Sequence, residues 1–80
     1  MSVTIYTTPT CGYCKMAKKF FEENDVEYTE KNVAEDEEAR EEAVDKSGQM
    51  GVPVIAVEED GDEEVVVGFD KDKLSDMLEI

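Results

Sequence analysis

Cys11 and Cys14 stand three positions apart in TTPTCGYCKMAKKFF, residues 7–21, within an 80-residue chain that has no other cysteine and no histidine. In the first turn of a helix, that spacing falls within the roughly 4.4 to 6.8 Å Cα separation that a disulfide requires. Such a bond can open and close without refolding the chain. Cys11 takes the position of a helix cap, where its sulfur can accept the free N–H groups of Tyr13 and Cys14 and where the helix dipole favours the thiolate. Cys14, one turn in and more shielded, is expected to act second, attacking the mixed disulfide that Cys11 forms with a target.

The same stretch holds Lys15, Lys18 and Lys19 and no acid, although the chain carries 22 acidic side chains. A carboxylate beside Cys11 would raise its pKa by like-charge repulsion, whereas lysines lower it, and the thiolate is the nucleophile. Lys15, next to Cys14, is the first candidate for the local cation, with Lys18 and Lys19 farther along the helix. The plainer reading of the gap is a buried strand and helix. A Cys-x-x-Cys pair is also half of a tetrahedral metal site, but nothing in the chain supplies the other half. No resident metal is expected in one chain, though two chains could pool thiols to hold an iron-sulfur cluster.

The elements that must position this pair follow from periodicity. Residues 2–7 alternate Val3 and Ile5 with polar neighbours, as a strand does, and Pro9 ends them. From Gly12 to about Asn24, Tyr13, Met16, Ala17, Phe20 and Phe21 fall at helical spacing, a stripe expected to face the core. Residues 26–33 form a weaker strand. Residues 35–47 read as a helix by charge order: acids crowd its start, Lys46 its end, and Asp36 with Arg40 and Glu42 with Lys46 lie four apart. Its buried edge is Ala39, Ala43 and Val44, and Gly48 closes it. VPVIAV, residues 52–57, suits a strand covered on both faces, with residues 65–67 as its partner across a tight Asp60-Gly61 turn. Asp70 can cap a last helix with Leu74, Met77 and Leu78 as its stripe. The order β-α-β-α-β-β-α predicts an α/β fold: a four-stranded mixed sheet, first pair parallel and last pair antiparallel, flanked by three helices.

Bulk composition bounds the function. Eighty residues fit one domain, 1–80, with Tyr6, Tyr13, Phe20, Phe21, Tyr28 and Phe69 as the larger core pieces. A net charge of -14 repels nucleic-acid phosphates and anionic lipid, so neither is an expected partner. MSVTIYTT lacks the pattern of a signal peptide and no segment approaches a membrane span, which points to the cytoplasm, where a cysteine pair is more often catalytic than a permanent staple. The acid excess reads as a solvated face or, more sharply, as adaptation to high internal salt.

YTTPTCGYCKMAKKFF, SGQMGVPVI and VVGFDKDKL, in that order, resemble the glutaredoxin-like branch of the thioredoxin superfamily, in particular the redoxins near the electron donors of ribonucleotide reductase. The resemblance covers nearly the whole chain and implies a thioredoxin-like, glutaredoxin-type fold. It implies a dithiol–disulfide oxidoreductase with Cys11 attacking and Cys14 resolving. Val52-Pro53 matches the family's cis Val-Pro, where the backbone of the first residue pairs with the bound thiol partner, and Gly68, Phe69 and Asp70 complete that groove. Gln49 and Lys15 are the contacts left for glutathione as co-substrate, because Thr8 stands where a lysine is common. With Tyr13 these residues form the candidate substrate-binding set. The resemblance further implies a monomer with no bound cofactor, a protein disulfide as substrate, and glutathione or a thioredoxin-reductase-like flavoenzyme as reductant. Gly12 stands where most members have proline, and proteins with the Cys-Gly-Tyr-Cys motif include some that assemble a [2Fe-2S] cluster between two monomers, which makes a homodimeric cluster carrier the alternative.

Overall fold

The computed structural model describes residues 2–48 and 53–78. Its elements are β1 (Ser2–Thr7), α1 (Gly12–Glu23), β2 (Thr29–Asn32), α2 (Glu37–Ser47), β3 (Val54–Glu59), β4 (Asp62–Val67) and α3 (Lys71–Leu78), in the expected order. The four strands form one sheet in the spatial order β2-β1-β3-β4. β1 runs parallel to β2, with Ile5 opposite Glu30, and antiparallel to β3, with Tyr6 opposite Val54. β3 and β4 pair antiparallel from Val54 with Val67 to Glu59 with Asp62.

Strand alternation sorts the core into two layers. Val3, Ile5, Ile55, Val57 and Val66 face Ala17, Phe20 and Phe21 of α1 and Leu74 and Leu78 of α3. Tyr6, Val54 and Ala56 face Ala39 and Ala43 of α2. Val54 to Val57 are all buried and alternate between the layers, as a strand covered on both faces requires. The second layer meets its helix through two alanines, so α2 contributes little apolar area. Ion pairs supplement it: Lys31 of β2 with Glu42, and Lys46 with Glu63 of β4.

Several expectations need correction. Tyr13 and Met16 leave the core stripe: at 64% and 51% exposed they lie on the outer face of α1, which buries Cys14, Ala17, Phe20 and Phe21 instead. Among the described residues neither expected i,i+4 pair of α2 forms: Asp36 turns back as the N-cap to accept the Ala39 N–H while Arg40 meets Glu37 one turn before it, and Glu42 and Lys46 pair with Lys31 and Glu63 of the sheet instead. β2 is shorter than 26–33, because Val26 closes the turn after α1 with its N–H on the Phe21 carbonyl. β4 is longer than 65–67. Asp60 (φ 51°) and Gly61 (φ 86°) are both left-handed, the conformation a two-residue hairpin turn demands, and pairing therefore begins directly at Glu59 and Asp62.

Candidate active site

β1 delivers the chain to the site through a turn in which the Cys11 N–H donates to the Thr8 carbonyl at 3.2 Å, with Pro9 at its first corner. Cys11 then stops being turn and becomes cap: its backbone is extended (φ -85°, ψ 110°) and its Sγ accepts the Cys14 N–H at 3.1 Å. Cysteine replaces the usual oxygen cap, so the positive end of the helix dipole acts on sulfur. Cys11 and Cys14 are joined as a disulfide with Cα atoms 5.2 Å apart. Their exposure differs as their positions imply, Cys11 being half-buried and Cys14 1% exposed. The outer sulfur can meet a second molecule; the inner one cannot without Cys11 as intermediary.

Around this pair the remaining candidates divide. Tyr13 projects into solvent between the cysteines, and Lys15 is exposed with no ion pair among the described residues. Pro53 is fully buried and precedes Val54, the partner of Tyr6, so it sits at the same end of the sheet as the Thr8–Cys11 turn. Its carbonyl accepts the Gly68 N–H at 2.8 Å, and Gly68 holds φ 83°, a conformation open to glycine and strained for other residues. Phe69 is half-buried with its ring 5.9 Å from Phe20, edge to face. Asp70 caps α3, its Oδ1 accepting the Lys73 N–H at 3.1 Å. Phe69 and Asp70 thus each have a structural duty at the site's margin. Gln49 and Val52 lie outside the described residues, as does the Val52-Pro53 bond.

Sequence reasoning passed over one cluster where β1 and β2 meet α1. Glu30 Oε2 accepts from Lys18 Nζ at 2.9 Å and from Thr7 Oγ1 at 2.8 Å, and Thr7 is 2% exposed. The Lys18 and Thr7 hydrogen bonds hold the Glu30 carboxyl below the usual range, and the Glu30 bond raises Lys18. No local spacing announces this cluster; it follows from the register that sets Glu30 opposite Ile5. The described residues contain no group of three side chains suited to hold a metal, so a cluster would need thiols from outside one chain.

The glutaredoxin family profile matches residues 3–61. The glutaredoxin-like 8.6 kDa protein of the rubredoxin operon of Clostridium pasteurianum is 38% identical over 77 residues, 96% of this chain and 97% of that one. Among solved structures, the thioredoxin-like protein BC3987 superposes with a TM-score of 0.83 at 33% identity, covering 95% of this chain and 99% of that chain. The glutaredoxin-like NrdH-redoxin of Escherichia coli gives 0.78 at 28% identity, covering 96% and 95%.

Proposed function

The chain belongs to the glutaredoxin family, and from that premise we propose that it is a dithiol–disulfide oxidoreductase acting on protein disulfides. One observation carries the reading: a bonded cysteine pair at a helix start, outer sulfur accessible and capping, inner sulfur buried. In the reduced protein the Cys11 thiolate attacks one sulfur of the substrate disulfide, forms a mixed disulfide and expels the other sulfur as a thiolate. Cys14 then gives up its proton and attacks Cys11 Sγ, forming the internal disulfide and expelling the second substrate thiolate. Two electrons have passed to the substrate, and its thiolates take up protons from Cys14 and solvent.

Tyr13 offers an exposed ring beside the exchanging sulfur, suited to the apolar flank of a peptide. The backbone partner that the resemblance gives such a peptide is next to Pro53, whose own carbonyl accepts the Gly68 N–H. The reductant is glutathione or a thioredoxin-reductase-like flavoenzyme, and the protein works as a monomer in a reducing cytoplasm. The thioredoxin-like activity profile named for the Escherichia coli relative supports the flavoenzyme.

The test is reduction of a protein disulfide by the wild type, Cys11→Ser and Cys14→Ser. Loss of activity in the Cys11 variant, with a trapped mixed disulfide in the Cys14 variant, is the expected outcome. Full activity without Cys11 refutes the assignment.

A further inference from the structure

The acid-free stretch of the sequence is not acid-free in space. Glu30 shares a sheet face with Ile5 and Thr7, the face covered by α1, and closes on Lys18 there. Lys18 follows Cys14 by four residues, so the two lie on one side of the helix. Helical side chains lean back over the preceding turn, which carries the Lys18 stem toward Cys14. The other charged or titratable groups to consider are Glu22 of α1 and Tyr28, which also bear on the Lys18 ammonium, Lys15 of α1, exposed and next to Cys14 in sequence, and Asp70 and Lys71 opening α3, both exposed. The charges of α2 lie across the sheet.

We propose that Glu30 is a positioning residue for the exchange reaction: anchored on Thr7, it holds the Lys18 ammonium in a neutral pair and keeps that charge off the buried Cys14 sulfur. Cys11 alone then ionises readily, and Cys14 stays the protonated, resolving thiol. The inference rests on the dithiol reading above. When a dithiol reductant reduces the Cys11–Cys14 bond, two electrons break it and the reductant closes its own disulfide. Cys11 leaves as a thiolate, Cys14 takes one of the reductant's two protons, and the other goes to solvent. An unpaired Lys18 would favour the thiolate at Cys14 too, and so the reduced protein.

Glu30→Gln keeps the shape and removes the charge. Cys14 ionisation is read by thiolate absorbance in a Cys11→Ser background, and the dithiol–disulfide equilibrium of the Cys-intact protein in a glutathione redox buffer. The expected result is ionisation of Cys14 at lower pH and an equilibrium shifted toward the dithiol by up to about tenfold, about 30 mV. Lys18→Met, which strands the carboxylate instead, should move both readings the opposite way, and the double variant should restore them. Folded Glu30→Gln protein with both readings unchanged overturns the proposal, as does a double variant shifted as far as Glu30→Gln. Neither reading needs turnover, so a protein that reduces no protein disulfide leaves this test intact.

Discussion

Glu30 and Lys31 are neighbours on the edge strand β2, point to opposite faces of the sheet, and each closes an ion pair with a different helix, Glu30 with Lys18 of α1 and Lys31 with Glu42 of α2. Both pairs are partly exposed, so each contributes about 0.2–1 kcal/mol at most. The α2 side carries a heavier load. Glu42 Oε1 also accepts the Tyr6 hydroxyl at 3.2 Å, while Lys31 Nζ stands 5.8 Å above the Tyr6 ring. Lys31→Met should therefore cost under about 1 kcal/mol in urea unfolding. Glu42→Ala should cost about 1–3 kcal/mol, because it strips a hydroxyl on a buried ring of its acceptor. In a Tyr6→Phe background most of that larger cost should disappear, and its persistence would show that the hydroxyl is not the reason.

Stability should fall at both ends of the pH scale for identifiable reasons. Glu30 is held below the usual carboxylate range by Lys18 and Thr7, so its contribution is present above its unfolded value and is lost as pH falls through the folded one. Tyr6 is pushed up to about 12 by burial and by Glu42, so its contribution is whole below pH 10 and disappears as pH rises toward 12. Unfolding free energies of Glu30→Gln should decline less than those of the wild type in acid. Those of Tyr6→Phe should decline less in alkali, and a parallel course for variant and wild type would contradict the assignment.

The order of elements, the sheet and the cysteine pair were legible because periodicity and turn chemistry are local. Asp60-Gly61 announces its hairpin, and Ala17, Phe20 and Phe21 announce a buried stripe. Tyr13 and Met16 misled because a 12-residue helix packed on one sheet face has room to bury only part of an apolar arc, and the arc that wins is the one holding Cys14. β2 was legible only as a weaker strand with loose bounds, since TEKN buries no side chain fully and is held by charges whose partners lie 12 and 11 residues away. Among the site residues, sequence could place Cys11 as a cap. It could not show that Lys18 is engaged by Glu30, because that contact depends on register.

Gly12 opens α1 at the first helical position, where a Cβ would meet nothing within 4 Å. Proline is favoured there, and Cys11 already has the extended backbone that a following proline requires. Gly12→Pro should thus stabilise the fold by about 0.4–1 kcal/mol through the unfolded chain. In a domain of this size that raises Tm by roughly 2–8 °C. A lowered Tm would show that the turn needs the freedom of glycine.

Acids outnumber bases 22 to 8, and the ion pairs of the described residues do not cancel that excess. Self-repulsion of this kind is screened over about 10 Å at 0.1 M salt and about 3 Å at 1 M. The unfolding midpoint should therefore climb across a potassium chloride series from dilute buffer to the molar range. A flat or falling series would dispose of the view that the chain is suited to a saline interior.

The β3–β4 hairpin sets Glu58 directly opposite Glu63 and Glu59 opposite Asp62, four carboxylates across its outer half, of which Glu63 alone closes an ion pair, with Lys46, among the described residues. β4 is also one of the two borders of the sheet, with main-chain groups a stranger's strand could use as a template. Any second copy approaching that border would bring its own carboxylates against these. The hairpin gives up some cross-strand attraction and in return discourages fibril-like stacking, a safeguard that amide substitution of these carboxylates would disarm.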